Sequence, residues 1–321
     1  MAKIISKVLA SRLQPPLQYL INPYQSAFIK GHHILDNFYT AHILTHHLHS
    51  TKQKAALLKI DFERAFDNVS WDFLLKLLKA RGFGEIWIRW INDLLRSTSS
   101  VVLLNGALGE SFPCKRGMRQ GDPLSSLPFI LCIDVLYRML QAVTSSNYLP
   151  TLAIGDVKLL TLQFVDDVLL FFDSSIRSAA TIKIILQAFS ESSGLKINYN
   201  KSALIPVHLP AYQASSLANS FNCPTQSFPL KHMAGLDTQR AGFCCVPGRD
   251  RLLLSPKQLL KSDYLPLLEK IDTRLAGWKG TTLSRGGRLV LLNSGITSIP
   301  AFFLLELPTS SLGDKSNRQN L

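Results

Sequence analysis

Acidic residues and paired cysteines are scarce in this chain of 321 residues. The first observation limits the kind of partner that the protein can bind, and the second limits the redox environment in which it folds. There are 22 acidic against 35 basic residues, which gives a formal net charge of +13 and a pI of about 9.6. This excess favours a polyanionic partner, nucleic acid first and an anionic membrane surface second. The five cysteines form no Cys-x-x-Cys pair. Their spacing argues against a disulfide framework and indicates reduced, intracellular thiols.

Long hydrophobic runs are also lacking. No apolar stretch approaches the roughly 18 residues that a membrane span needs. Residues 126–140 come closest, and Asp134 and Arg138 interrupt them. The sequence therefore predicts no membrane partner. The first 35 residues contain no acid, as in a transit peptide, but they share the apolar patterning of the folded body.

Periodicity and capping residues predict the local structure. A basic amphipathic helix covers 3–13 and is expected to end at Pro15 and Pro16. Helices are also predicted over 34–49, 71–81, 86–96, 175–192, 262–277 and 288–296, and Asn105-Gly106 predicts a hairpin. His42 and His46 stand one turn apart, as metal ligands could, but a solvated or nucleic-acid-facing helix side is the preferred interpretation.

Two acidic strand ends carry the strongest chemical signal. The run Ala55 to Ile60 predicts a buried strand ending on Asp61, and residues 160–173 predict a hairpin with Asp166 and Asp167 at its tip. Adjacent carboxylates in apolar surroundings favour a compensating hard divalent metal. In one antiparallel sheet, the three acids could converge on two Mg²⁺ ions, as nucleotidyl transfer requires. A water-facing turn and a metal-dependent nuclease are the alternatives.

A glycine-bracketed loop from Gly117 to Leu124 is predicted to open a helix, with Asp122 as its cap and Pro123 in its first turn. Glycine lets a ligand approach the backbone closely, and the Arg119 guanidinium can donate two parallel hydrogen bonds to a phosphate. An ordinary helix-entry turn is the alternative.

These motifs belong to a longer ordered series. It comprises residues 4–13, 24–31, 58–67, 117–125, 164–167, 194–202, 278–279 and 285–289. The series resembles the reverse transcriptase of LINE-type, non-LTR retrotransposons, as found in plant genomes, and the resemblance spans nearly the whole chain. It implies a right-hand polymerase of class α+β, with fingers, an antiparallel palm sheet backed by helices, and a thumb.

The resemblance further implies RNA-directed DNA polymerase activity, which transfers dNTPs onto a DNA primer 3′-OH along an RNA template. The expected divisions are fingers at 1–56 and a palm at 57–210 that contains inserted fingers helices at about 70–112. An irregular connection at 211–254 and a thumb-like region with a mobile tail at 255–321 are expected to follow.

The resemblance also assigns roles to single residues. Asp61, Asp166 and Asp167 would bind two Mg²⁺ ions and act in catalysis. Phe66 stands where the family has an aromatic gate against the ribose 2′-hydroxyl, with a core position as the alternative.

Other residues are implied to contact the nucleotide or the template. The glycine-loop members are Arg119, Gln120 and Gly121. Lys30 or Arg12 would bind the triphosphate, because His32 replaces the arginine usual in the family. Lys201 or Lys196 would donate a proton to pyrophosphate, and a surface lysine is the alternative for either.

One stretch departs from the family pattern. After Phe228-Pro-Leu-Lys231 the family continues with a Tyr-Leu-Gly turn that grips the primer, whereas this chain reads His232-Met-Ala-Gly and stays irregular to about 254. We therefore keep a second hypothesis, a truncated and inactive retrotransposon remnant that at most binds nucleic acid. The sequence carries no clear nuclear localisation signal, although an enzyme acting on chromosomal DNA would have to be in the nucleus.

Overall fold

The computed structural model describes residues 2–32, 34–154, 157–228, 230–232, 252–254 and residue 284. The chain divides into two compact units, Met1–Ser227 and Phe228–Leu321. Each unit is treated separately below.

A four-stranded antiparallel sheet with strand order β6-β7-β1-β8 forms the centre of the first unit. Its strands are β1 (Ala55–Ile60), β6 (Thr161–Phe164), β7 (Asp167–Phe172) and β8 (Ala203–Val207). In β1, Ala56, Leu58 and Ile60 join the main hydrophobic core, and the alternating Ala55 and Leu57 are buried as well. Side chains on both faces of a strand are buried only when both faces of its sheet are covered.

Helices cover this sheet. They are α1 (Ala2–Leu20), α2 (Ile34–Ser50), α3 (Ala65–Asn68), α4 (Trp71–Ala80), α5 (Glu85–Arg96), α6 (Ser126–Ser145), α7 (Ile176–Ser193) and α8 (Ala211–Phe221). Helix α2 packs on β6 and β8, while α6 packs against α1, α4 and α7. The expected α+β class, an antiparallel sheet backed by helices, is confirmed.

Helix α6 is the core helix of this unit. Among the described residues, it alone is long and apolar enough to cross a membrane by length and composition. In this fold ten of its residues are buried, and one of them, Asp134, accepts hydrogen bonds from Arg81 and Arg138. Its apolar composition is explained by packing inside the protein.

The predicted end of the first helix at Pro15 and Pro16 is wrong. Helix α1 continues to Leu20 with both prolines inside it. The buried stripe of Leu9, Leu13 and Leu17 runs past them at helical spacing, and the prolines lie on the exposed side. Tertiary packing of that stripe outweighs the backbone hydrogen bonds that proline cannot make.

Local capping signals predicted other elements well. The Ser70 hydroxyl accepts from the Phe73 N–H at the start of α4, and Gly194 ends α7 in the left-handed region at φ 80°. Asn105 and Gly106, both with positive φ, join β2 (Ser99–Leu104) to β3 (Ala107–Pro113) in a separate, fully exposed hairpin. A further short pair is β4 (Leu152–Ile154) with β5 (Val157–Leu159).

The predicted start of α6 is too early. The helix begins at Ser126 after a turn, with Ser125 as its cap residue. The Asp122 carboxylate instead accepts from the Leu124 N–H at 3.2 Å and from the Ser6 hydroxyl at 2.6 Å. It therefore fastens the glycine loop to α1.

In the second unit, β9 (Leu230–His232) and β10 (Leu252–Leu254) pair antiparallel, with His232 opposite Leu252. They and α8 fall within residues 211–254, for which the sequence predicts an irregular connection. The helices predicted at 262–277 and 288–296, and with them the thumb-like region at 255–321, lie outside the described residues.

Candidate active site

The hairpin of β6 and β7 presents two of the predicted acids. Phe164 pairs with Asp167, so the connection consists of Val165 and Asp166 alone. Asp167 opens β7, and Asp166 occupies the turn. Val165 has φ 55° and is buried. The hairpin predicted from the apolar runs thus has both aspartates at its tip.

The third acid lies on the neighbouring strand. Strands β1 and β7 pair antiparallel as far as Ile60 opposite Val168. One step further along that register, Asp61 lies opposite Asp167. The three acids therefore meet at one end of the central sheet, although about a hundred residues of sequence separate Asp61 from the hairpin.

The backbone around Asp61 is fixed from the other side of the sheet. The Asp61 N–H donates to the Ser202 hydroxyl at 3.1 Å, and the Asp61 carbonyl accepts from the Asn198 N–H at 2.8 Å. Phe62 forms an antiparallel bridge with Ile197. The segment after α7, recognised in the sequence only as a motif, thereby positions the first acid.

The surroundings of Asp61 and Asp166 disfavour the charged forms of both side chains. Burial raises the pKa of Asp166, and the nearby Asp61 carboxylate raises it further, while the Asp166 backbone N–H opposes the rise. Burial also raises the pKa of Asp61, against the opposing charges of Lys201 and Lys59. A divalent cation at this edge would lower both pKa values.

The donor chemistry suits a hard divalent cation, because carboxylate oxygens are its preferred ligands. Within the described ranges, however, no three His, Cys, Asp or Glu side chains form a group that could hold a metal ion. The fold brings the acids to one edge without closing them into a finished set of ligands. Two of them, Asp61 and Asp166, interact directly through their charges.

Phe66 lies on α3, close to this edge in sequence. Its ring stacks on that of Phe129, with centroids 4.3 Å apart and planes 15° apart, and its carbonyl accepts from the Met118 N–H at 2.7 Å. The side chain is half-buried. Packing against the core and an exposed ring edge are therefore compatible at this position.

The glycine loop packs directly against α3. A Cβ on Gly117 would stand 2.5 Å from the Asp67 carbonyl oxygen, and its φ is +81°. Gln120 reaches the Asp67 carboxylate at 3.5 Å. Gln120 and Gly121 are exposed. Glycine is required at position 117 for this contact.

The Arg119 guanidinium is directed elsewhere. It donates to the Ser97 carbonyl at 2.7 Å and to the Thr98 hydroxyl at 3.1 Å, which ties the loop to the end of α5. Lys30 and Lys201 are exposed. His32, which stands where the family has arginine, places Nδ1 2.9 Å from the Gln25 carbonyl. That nitrogen must carry the proton, since a carbonyl only accepts.

Sequence reasoning missed a polar network behind the hairpin. Asp134 on α6 accepts from Arg81, from Arg138 and from both the backbone N–H and the side chain of Asn22. Asn22 also donates to Gln163 on β6. The only sequence signal was a pair of charges, Asp134 and Arg138, that interrupts an apolar helix, since charged residues are almost never fully buried unless they are paired.

The fold and site together define a nucleic-acid polymerase palm. A profile of the family described as "Reverse transcriptase (RNA-dependent DNA polymerase)" matches residues 1–218. The chain belongs to this reverse transcriptase family, whose members copy RNA templates and use divalent metal ions.

The relatives are proteins of non-LTR retrotransposons, as the sequence motifs indicated. The transposon TX1 uncharacterized 149 kDa protein of Xenopus laevis is 26% identical over 329 residues, covering 99% of this chain and 23% of that protein. The retrovirus-related Pol polyprotein from type-1 retrotransposable element R2 of Popillia japonica is 26% identical over 206 residues, 64% of this chain and 28% of that protein. The chain thus spans less than a third of these relatives.

Solved structures support the same fold. Telomerase from Candida tropicalis, in complex with a TWJ fragment of telomeric RNA, matches with a TM-score of 0.51 and 13% identity, covering 97% of this chain and 47% of that one. This likeness establishes the right-hand polymerase fold. The family expected from the sequence and the expected fold class are both confirmed.

Proposed function

We propose that this domain is an RNA-directed DNA polymerase in which Asp61, Asp166 and Asp167 serve nucleotidyl transfer onto a primer 3′-OH. The observation that carries the proposal is the placement of three acids from two distant segments at one sheet end, two of them with raised pKa values. Carboxylates whose pKa values are raised by burial and by a neighbouring charge cluster at functional sites.

The cofactor of the proposal is a pair of Mg²⁺ ions held by these three carboxylates. When bound, the ions supply Lewis-acid activation of the primer hydroxyl and neutralise charge on the leaving pyrophosphate. The chain's own contribution is to hold the carboxylates at the sheet edge in partly dehydrated surroundings, where their charges act more strongly than in water.

Residues around the acids would select and hold the substrate. Phe66, braced by Phe129, would exclude a ribose 2′-hydroxyl and so favour dNTPs. The exposed Gln120 and Gly121 would contact the nucleotide and template, with Arg119 joining them only on release from Ser97 and Thr98.

Two exposed lysines complete the proposal. Lys30 would attract the triphosphate, and Lys201, which already interacts with Asp61, would donate a proton to pyrophosphate. The net charge of +13 suits an RNA template and DNA primer, with binding that weakens steeply as salt increases.

Primer extension on poly(rA)/oligo(dT) with Mg²⁺ and dTTP tests the proposal. We expect incorporation by the intact chain and a loss of at least about a hundredfold in Asp166→Asn, because a charged ligand is removed from the transition-state site. Asp72→Asn is the matched control, since the Asp72 side chain is 75% exposed and pairs with Lys76 on the surface of α4. No incorporation by the intact chain, or equal activity in both variants, refutes the proposal. Salt-dependent RNA binding without incorporation would favour the inactive remnant instead.

A further inference from the structure

The turn that carries Asp166 is a strained piece of backbone. Val165 adopts φ 55°, in the left-handed region that β-branched side chains strongly disfavour. It is also 1% exposed, so its side chain cannot relax into solvent. A conformation of this kind persists only where surrounding groups enforce it.

The enforcing group is the side chain of Gln25. Its Oε1 accepts from the Val165 N–H at 3.1 Å and from the Ala27 N–H at 3.1 Å. Two backbone donors identify this atom as the oxygen of the amide, since an NH₂ group cannot accept from them. The Gln25 Nε2 is buried, and none of the described residues forms a hydrogen bond with it. Burying the NH₂ group in this way is unfavourable. The fold nevertheless keeps glutamine at this position, where its side-chain oxygen forms the hydrogen bonds.

Gln25 is itself held rigidly. It is 0% exposed and forms a parallel bridge with Gln163 on the edge strand β6. The Gln163 N–H donates to the Tyr24 carbonyl at 2.9 Å, and Asn37 donates to both the Tyr24 and Gln163 carbonyls. The segment around Gln25 is therefore bonded to the edge of the central sheet through one isolated bridge beside the hairpin.

We propose that Gln25 is a positioning residue for Asp166. Its side-chain oxygen fixes the strained backbone at Val165 and so sets the direction in which the next residue presents its carboxylate. The role of Asp166 rests on the function proposed above, whereas the hydrogen bond and its effect on the turn do not. Gln25 touches neither substrate nor metal in this account.

Hydrogen exchange in the full chain tests the bond without requiring activity. In Gln25→Met, which keeps the volume and removes the acceptor, exchange at the Val165 amide should accelerate roughly three- to tenfold, the effect of one net hydrogen bond. Exchange at Val168, in the ladder between β1 and β7, should be unchanged. Gln14→Met is the matched control, because Gln14 donates to the Phe28 carbonyl in the same segment and does not reach the turn.

Mn²⁺ binding, followed by electron paramagnetic resonance, tests the positioning. Gln25→Met should weaken Mn²⁺ binding, and adding Val165→Gly should restore most of it, because glycine adopts positive φ without strain. A residue with a merely structural role would give no such rescue. In primer extension, Gln25→Met should lower kcat, and adding Val165→Gly should restore it. Neither change should alter KM for dTTP much.

Unchanged exchange at Val165 in Gln25→Met would overturn the proposal, as would general loss of protection across the sheet or failure of Val165→Gly to restore Mn²⁺ binding. If the unaltered chain extends no primer, the proposed polymerase function fails. The exchange measurement, which needs neither metal nor activity, still decides whether Gln25 fixes the turn.

Discussion

The buried carboxylate of Asp134 offers the sharpest test of what holds the first unit together. It is fully buried on α6 and accepts hydrogen bonds from Arg81 Nη2 and Arg138 Nε, each at 2.6 Å. The backbone N–H and Nδ2 of Asn22 donate to it at 2.8 and 2.9 Å. Asp134→Ala removes all four acceptor contacts and leaves the Arg81 side chain, which is 14% exposed, without its counter-charge.

We expect Asp134→Ala to lower the free energy of unfolding by roughly 3–5 kcal/mol, as breaking a buried ion pair usually does. The comparison is Asp72→Ala. The Asp72 carboxylate likewise pairs with a basic residue one turn away, Lys76, at 2.7 Å, but it is 75% exposed. Its removal should cost only about 0–1 kcal/mol. Both variants truncate an aspartate, so the difference compares a buried carboxylate that accepts four hydrogen bonds with an exposed ion pair.

Urea unfolding followed by circular dichroism measures both values. A second variant, Asp134→Leu with Arg81→Met, should recover part of the loss, because it removes both charges and fills their space with apolar groups. If Asp134→Ala is as mild as Asp72→Ala, or if the double variant is worse than Asp134→Leu alone, the pair does not stabilise the fold in the way argued here.

Three further outcomes are expected. Because the folded-state pKa of Asp166 is raised, Asp166→Asn should raise the melting temperature of the metal-free protein at neutral pH. This gain should vanish as the pH falls through that pKa towards the usual aspartate value. A gain that stays constant with pH would contradict the argument. Gly117→Ala, whose Cβ would meet a backbone oxygen at 2.5 Å, should cost about 1–3 kcal/mol in urea unfolding. Gly84→Ala has open space around it and should cost only about 0.5–1 kcal/mol, because Gly84 is the N-cap residue of α5, where glycine is preferred over alanine. Leu17→Ala should cost about 2–5 kcal/mol, since Leu17 is fully buried beyond the two prolines of α1; a negligible cost would show that the helix does not pack there.

Elements with local signals could be predicted from the sequence. Ser70 and Gly194 mark helix ends through a hydroxyl cap and a left-handed backbone, and both act within a few residues. Asn105-Gly106 fixes its hairpin for the same reason. The acid-bearing hairpin also follows from local apolar runs broken by two aspartates.

What could not be predicted depends on groups far apart in the chain. The continuation of α1 past its prolines depends on a core that the helix alone does not reveal. The direction of the Arg119 guanidinium depends on Ser97 and Thr98, more than twenty positions away. Gln25 was visible as part of a motif, but its contact with Val165 spans 140 positions. Such contacts become apparent only when the strands are paired.

The candidate site combines a fixed backbone with unfavourably placed charge. Ser202 and Asn198 hold the main chain at Asp61, and Gln25 holds it beside Asp166, so the acids cannot move apart cheaply to relieve their repulsion. Burial raises the pKa of both acids, and the Asp61 charge adds to the rise at Asp166. Asp166→Asn and Gln25→Met should therefore act in opposite directions on the fold: the first relieves the repulsion and stabilises the metal-free protein, whereas the second loosens the turn, and both impair cation binding.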